Sequence, residues 1–224
     1  MNPVSARLVI FDWDGTLMDS TGHIVASVQQ AALEMGWEAP APDKVRAVIG
    51  LSLAQALATV MPETSPTAAR AFEAAYRRHY LNPDMDEGDL FPGVRDLLQA
   101  LRAADIWAAV ATGKGRSGLD RVMKKLGVEE LFVASRCADE ARSKPHPQML
   151  EDILHVTGLE AREAVMVGDT SFDLDMARAL RMPAFGVTGG AHPAEQLRAC
   201  EPMGVLERVT DIRHPLGLGI SQNS

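Results

Sequence analysis

Cysteine is nearly absent from this chain of 224 residues: only Cys137 and Cys200 occur, far apart and in no CxxC spacing. That argues against a disulfide framework and a thiolate metal site, and it fits a reducing, cytoplasmic location. Long apolar runs are missing too, since no segment approaches the roughly 18 consecutive apolar residues that a membrane span needs. No basic stretch followed by an apolar run and a small-residue cleavage site opens the sequence, so neither export nor anchoring is expected. Positive charge is the third scarcity: 22 Lys and Arg stand against 30 Asp and Glu, a formal net charge of −8. Such a field opposes a broad phosphate-backbone or anionic-membrane surface, which argues against nucleic acid and membranes as partners. A small anionic substrate stays permitted, because a local site with a metal and a lysine overrides the global field.

Apolar side chains make up 46% of the chain and charged ones 23%, a balance that buries a real core without staples. The length suits one large domain, or one domain carrying an insertion. Arg7-Leu8-Val9-Ile10-Phe11-Asp12 is an apolar run too short for a helix; it reads as a strand buried on both faces and ending in carboxylates. Similar runs recur at Ile106 to Thr112, Leu131 to Ser135, Ala164 to Gly168 and Ala184 to Thr188. Helical patterns separate them at Val94 to Ala104, at Ser117 to Leu126 before Gly127, at Pro147 to Thr157 before Gly158, and at Phe172 to Leu180 before Pro183. The alternation predicts a parallel sheet covered on both faces, an α/β fold of the Rossmann-like, doubly wound kind.

Residues 18–88, 71 in all, have almost no strand character and are too long for a βα connection. Thr21 is placed to cap a helix ending near Gly36; Asp43 to Ile49, Leu53 to Val60 and Thr67 to Tyr80 read as further helices, the last closing before Asn82-Pro83. This stretch is expected to be an inserted α-helical cap, with residues 1–17 and 89–224 forming the core. The linkers fall at Leu17 to Thr21 and Asp84 to Phe91, and the tail Gly217 to Ser224 is expected to be loosely held. Trp13, Trp37 and Trp107 read as packing residues.

Asp12-Trp13-Asp14-Gly15-Thr16 is the sharpest feature. Two acids at i and i+2 leaving a strand lie on one side of the chain and repel each other unless a cation intervenes. A metal site or an acid/base role is the natural reading, an Asp-Gly turn the bland one. Gly15 permits a backbone turn that exposes amide groups to an anion. Asp169 and Asp173 form a second pair at the end of another apolar run, with no His or Cys nearby, which favours Mg²⁺ over zinc; Asp169 or Thr170 as a simple helix cap is the competing reading. Thr112-Gly113 would offer a hydroxyl and an unobstructed N–H to a phosphate at the sheet's C-terminal edge, or would be only a turn. Lys144, between Ser143 and Pro145 in a loop stiffened by Pro145 and Pro147, is one of five lysines. Near four carboxylates it would stay charged and bridge a nucleophile and a phosphate; without them it is a solvated loop lysine.

These four pieces, in this order, resemble the haloacid dehalogenase superfamily, specifically the branch with a helical cap that includes phosphoglycolate phosphatases and β-phosphoglucomutases. The resemblance covers nearly the whole chain. It implies Asp12 as nucleophile and metal ligand, and Asp14 as general acid/base lending its carbonyl to Mg²⁺. It further implies that Thr112 holds the phosphoryl group, that Lys144 neutralises nucleophile and phosphate, and that Asp169 coordinates Mg²⁺ with Asp173 in support. Gly113 stands where the branch often has Asn, so the phosphate contact there would come from the backbone amide. Arg46-Ala47-Val48-Ile49-Gly50-Leu51-Ser52-Leu53 looks like the branch's substrate loop, in which Gly50 allows close approach and Arg46 or His23 would read the substrate; an arginine on a solvated helix face is the plainer reading of Arg46. Asp14 argues against C–halogen and C–P chemistry.

The expected activity is therefore a Mg²⁺-dependent phosphomonoesterase, phosphoglycolate phosphatase-like, acting on a small phosphorylated metabolite through an aspartyl phosphate, as a monomer or homodimer. A carboxylate attacking a phosphate dianion meets repulsion that only a divalent cation and an ammonium offset. A sugar phosphomutase is the alternative, and a non-catalytic phospho-accepting module a more distant one.

Overall fold

In the computed structural model, which describes residues 4–81 and 88–218, the first apolar run forms β1 (Leu8–Phe11). Four helices follow, α1 (Thr21–Glu34), α2 (Pro42–Arg46), α3 (Leu53–Val60) and α4 (Pro66–Tyr80). The chain then alternates: α5 (Val94–Ala103), β2 (Trp107–Ala111), α6 (Arg116–Leu126), β3 (Ala134–Arg136), α7 (Gln148–Thr157), β4 (Ala164–Gly168), α8 (Ser171–Ala179), β5 (Ala184–Val187), α9 (Ala194–Ala199) and β6 (Gly204–Leu206). The strands form one sheet in the order β3-β2-β1-β4-β5-β6, and every neighbouring pair is parallel. This is the Rossmann-like α/β architecture.

The period-2 alternation of β1 explains why both faces are covered. Val9 and Phe11 join one apolar cluster with Leu97, Leu98, Leu101 and Val122, while Leu8 and Ile10 join the other with Met149, Ile153 and Met176. The strand order reverses between β1 and β4, where Phe11 is in register with Val167, so the tips of these two strands sit at the topological switch point where open α/β sheets bind ligands. Asp12 and Asp169 are the residues just past those tips. The helices from α1 to α4 have a separate apolar cluster, built on Ala31, Ala32, Leu57, Phe72 and Ala75 and closed by Trp37 stacked on Phe72 at 5.6 Å.

The structure departs from the sequence reading at identifiable places. Leu131 to Ser135 is not one strand: Glu129–Leu131 is a 3-10 turn, and pairing begins only at Val133, whose N–H donates to the Ala108 carbonyl. Leu131 and Phe132 are apolar because they pack on the core, Phe132 against Trp13 at 6.1 Å, not because they extend the sheet. Ser20, not Thr21, is the residue before α1, and its hydroxyl makes no capping bond because it donates to Asp14 Oδ1 at 2.6 Å. Trp13 is fully buried, but Trp107 is 38% exposed where β2 begins. Helix α9 and strand β6 were not foreseen; six and three residues are too few to show a period. Among the described residues no helix is long and apolar enough to cross a membrane.

The two connections of the helical segment run side by side. Asp19 N–H donates to the Asp89 carbonyl and Phe91 N–H to the Leu17 carbonyl, both at 2.9 Å. Residues 84–87 of the expected second linker lie outside the described residues, as do 219–224 of the tail, whereas Gly217 and Leu218 bond to His214 and Arg213. Gly88, at φ +85°, lies so close to the first linker that a Cβ would fall 1.9 Å from the Asp19 carbonyl oxygen. Gly88→Ala is therefore expected to destabilise the protein by about 1–3 kcal/mol, lowering the melting temperature by several degrees. An unchanged thermal melt would contradict this packing of the two linkers.

Candidate active site

Asp12 follows the last residue of β1, with its N–H on the Val167 carbonyl at 2.9 Å, which aims the residue between β1 and β4. Its Oδ1 accepts from Lys144 Nζ at 2.5 Å, and the same ammonium donates to Asp173 Oδ1 at 2.6 Å. Lys144 and Asp173 have no exposed surface, and Asp12 has 1%. Thr170 caps α8 and Asp173 reciprocates, Oδ2 accepting from the Thr170 hydroxyl at 2.7 Å and N–H at 3.2 Å. The helix cap at this segment is thus Thr170, with Asp173 as its reciprocal partner.

Asp169 is held from two sides: Oδ1 accepts from Thr16 Oγ1 at 2.8 Å and Oδ2 from Ala191 N–H at 2.7 Å. It fits because its neighbours lack side chains. A Cβ on Gly15, at φ +85°, would fall 2.4 Å from Asp169 Oδ2, and one on Gly190 2.1 Å from it. One oxygen each of Asp12, Asp169 and Asp173 lies within 4.8 Å of the others.

Burial pushes the Asp12 carboxyl well above the usual carboxylate range, against the pull of Lys144, and Asp173 and Asp169 push it further. Burial and then Asp173 raise Asp169 to about 6. Burial alone would discharge Lys144, but Asp12 and Asp173 outweigh it and hold the ammonium charged. With all three acids ionised, one ammonium leaves two negative charges. Asp12 Oδ2 is buried and has no donor. An all-oxygen donor set, two uncompensated charges and an orphaned carboxylate oxygen fit a hard divalent cation such as Mg²⁺.

Asp14 lies elsewhere. Its carboxylate is not in the three-acid group, and the acids acting on Asp12 are Asp173 and Asp169. Asp14 Oδ1 instead meets Lys114 Nζ at 3.0 Å and the Ser20 hydroxyl at 2.6 Å. Each of the two carboxylates of this motif is thus met by its own lysine, Asp12 by Lys144 and Asp14 by Lys114. The strand ends at Phe11, so the period-2 rule that would place both acids on one side no longer applies.

Thr112 is fully buried past the end of β2, and its Oγ1 accepts from Lys114 N–H at 3.1 Å, so a turn does form here. Gly113 meets the helical segment: a Cβ there would fall 2.5 Å from the Gly50 carbonyl oxygen and 2.6 Å from that of Leu51. Gly50, at φ +98°, also faces Thr170, with its ideal Cβ position 3.3 Å from Oγ1. Gly50 is therefore at the acid cluster's edge. Arg46 is not brought to it: its guanidinium pairs with Asp43 at 3.0 Å and its side chain is 43% exposed. His23 is buried, with Nε2 2.9 Å from the Tyr80 carbonyl.

Sequence reasoning missed Thr16, Gly190, Ser143, His192 and Lys114. Ser143 Oγ accepts from Ser52 N–H at 2.8 Å. His192 Nδ1 accepts from Ser171 N–H at 3.0 Å, which leaves Nε2 to donate to the Ala47 carbonyl at 3.2 Å. Thr16 and Ser143 are sequence neighbours of flagged residues, which was a usable signal. His192 and Gly190 carried none.

A family model described as haloacid dehalogenase-like hydrolase matches residues 9–187. Among similar proteins, "Probable phosphatase IndB" of Dickeya dadantii is 34% identical over 211 residues, covering 92% of this chain and 91% of its own length. A "Phosphoglycolate phosphatase" of Pectobacterium atrosepticum is 31% identical over 227 residues, covering 97% and 95%. The crystal structure of a hydrolase from Pseudomonas syringae superposes with a TM-score of 0.85 at 23% identity, covering 96% of this chain and 98% of its own, which shows a shared fold.

The acid cluster sets a pH dependence whose sign follows from Asp169. Its carboxyl titrates near about 3.9 when unfolded and at about 6 when folded. Between those values the folded state holds the extra proton, so cation-free stability falls as pH rises through that window. Mg²⁺ is expected to raise the melting temperature by several degrees at about pH 8, a gain that shrinks as pH falls below about 6. Melts with and without Mg²⁺ across this range test it. A gain independent of pH, or one kept in full by Asp169→Asn, would overturn the assignment.

Proposed function

This chain belongs to the haloacid dehalogenase-like hydrolase family, and from that premise we propose that it is a phosphatase releasing inorganic phosphate from a small phosphorylated metabolite through an aspartyl phosphate on Asp12. The observation that carries the reading is the Asp12 carboxylate, clamped through Oδ1 by a buried lysine and presenting Oδ2, without a donor, at the sheet's switch point. Buried carboxylate oxygens without a donor are uncommon, and each calls for an explanation beyond structure.

In the proposed reaction a carboxylate oxygen of Asp12 forms a bond to phosphorus as the bond from phosphorus to the leaving oxygen breaks. Asp14 gives its proton to the departing alkoxide. A water then attacks phosphorus and passes a proton to Asp14, the bond to Asp12 breaks, and inorganic phosphate leaves with both acids restored. Lys144 offsets charge between nucleophile and phosphoryl group throughout, and Thr112 with the Gly113 amide orients the phosphoryl oxygens. Asp12, Asp169 and the Asp14 carbonyl would hold Mg²⁺, with Asp173 fixing Lys144 beside them. A bound Mg²⁺ would supply the positive charge that lets a carboxylate approach a phosphate dianion. Residues 18–88 act as a cap that covers the site, excludes bulk water and selects the substrate.

Phosphoglycolate is the first substrate to test, because relatives over nearly the full length are named for it. Two free cysteines accord with a cytoplasmic enzyme.

The experiment is turnover of a panel of phosphorylated metabolites with Mg²⁺, wild type beside Asp12→Asn. Wild type is expected to release inorganic phosphate, and Asp12→Asn to lose roughly 10³-fold or more in kcat while staying folded. Isomerised sugar phosphate without phosphate release would indicate a mutase instead, and a variant as active as wild type would end the nucleophile assignment.

A further inference from the structure

Lys114 is a buried lysine that the proposed chemistry does not use. Its backbone is fixed to the core, N–H on Thr112 Oγ1 and carbonyl accepting from Ala138 N–H at 3.0 Å. Its ammonium lies 3.0 Å from Asp14 Oδ1 and donates to the Tyr80 phenol at 2.8 Å, with only 9% of the Lys114 side chain exposed. Tyr80 is the last residue of α4, and it is held in turn by α1, its carbonyl 2.9 Å from His23 Nε2 and its ring 4.5 Å from the His23 ring. Ser20, at the start of α1, also contacts Asp14 Oδ1.

We propose that Lys114 is the positioning residue of Asp14: clamped between Asp14 Oδ1 and the Tyr80 hydroxyl, it fixes the carboxylate so that Oδ2 faces the leaving group, and it ties that orientation to the end of α4. The proposal rests on the reading of Asp14 as the acid/base. Three features support it. Both polar contacts fall on the same oxygen, Oδ1, which settles how the carboxylate plane is turned. The Lys114 ammonium is nearly fully buried and reaches only from the core turn, 3.0 Å from Asp14 Oδ1 and 2.8 Å from the Tyr80 hydroxyl, so the clamp spans core and helix α4. Lys114 and Ser20 approach from different parts of the chain, the core turn after β2 and the start of α1, so the carboxylate is held only when core and helices are in their mutual places. Asp12 is treated alike, its Oδ1 on Lys144 and its Oδ2 left open.

A positioned proton donor matters in proportion to how badly the leaving group needs a proton, and that makes the role testable. Lys114→Met keeps the length and removes the charge. With an alkyl phosphomonoester, kcat is expected to fall roughly 10–100-fold, part of what a general acid contributes, while KM stays within about twofold. With para-nitrophenyl phosphate, whose leaving group needs no proton, the first-turnover burst of nitrophenolate should keep roughly the wild-type rate while the following steady state slows. Tyr80→Phe, which removes one anchor of the clamp, should show a smaller loss in the same direction, and the double variant should be no slower than Lys114→Met alone.

A rise in KM with kcat unchanged would overturn the proposal in favour of a substrate contact. Equal losses for both leaving groups in the first turnover would reduce Lys114 to a structural residue, and no loss in either variant would make it a spectator. Should Lys114→Met fail to fold, Tyr80→Phe carries the same comparison of leaving groups. Failure of the underlying reading looks different: the wild-type enzyme itself would then release no phosphate, or Asp14→Asn would match it.

Discussion

An ammonium group with no exposed surface is stable only where carboxylates meet it, and Lys144 meets two. Taking any one of these charges out of water costs several kcal/mol, and removing a single partner of such a buried pair typically costs about 3–5 kcal/mol. The pairing therefore constrains more than local geometry. Asp12 follows β1, Asp173 stands in the first turn of α8 as half of a capping box, and Lys144 lies in the loop before α7. One nitrogen fastens three separate elements at the sheet's C-terminal edge. The same arrangement leaves the cluster anionic, so the interaction that holds the fold together here also creates the demand for a cation. The same atoms thus set both the local stability and the local charge.

That cluster exists because nothing else fills the space. Asp169 approaches Gly15 and Gly190, and Asp173 approaches Gly168 so closely that a Cβ there would fall 2.3 Å from its carboxyl carbon. The glycines are conformational devices only in part. Gly15 does need its positive φ, but at Gly168 and Gly190 the requirement is the missing methylene. Three buried acids converge because three positions around them stop at Cα, and any larger residue there would push a carboxylate away from its partners.

Much of this was legible in the sequence because strand tips in a parallel sheet are predictable. A short apolar run followed by a polar residue fixes both the strand and the edge at which that residue emerges, and that logic located Asp12, Thr112 and Asp169. Lys144 needed the acids as context, since a loop lysine alone is uninformative. What stayed hidden were partnerships across the boundary between the helical segment and the sheet. Lys114 meets Tyr80 and Asp14 meets Ser20 through tertiary placement, with no periodicity to announce it, and Asp14 lies three residues past the end of β1, beyond the reach of the strand's period-2 rule. Phe132 misled for the opposite reason: its apolar character reports packing on Trp13, and a short run does not distinguish packing from pairing.

The contacts between the helical segment and the sheet differ in kind from those within each. Inside, apolar clusters dominate: Phe72, Leu57 and Ala31 on one side, the two faces of the sheet on the other. Across the boundary, near the acids, the links are Ser52 to Ser143, Ala47 to His192, and the carbonyls of Gly50 and Leu51 against Gly113. The first two are neutral hydrogen bonds, which contribute about 1 kcal/mol each, and the third is a close backbone approach that only glycine permits. The contacted residues are also telling. Ser143 precedes Lys144, Gly113 follows Thr112, and Ser171, which His192 bridges to Ala47, lies two residues from both Asp169 and Asp173. The loops that carry Thr112, Lys144 and the Asp169–Asp173 pair are thus each touched by the helical segment through a nearby residue, and the Lys114 contacts to Asp14 and Tyr80 join the same two parts of the chain.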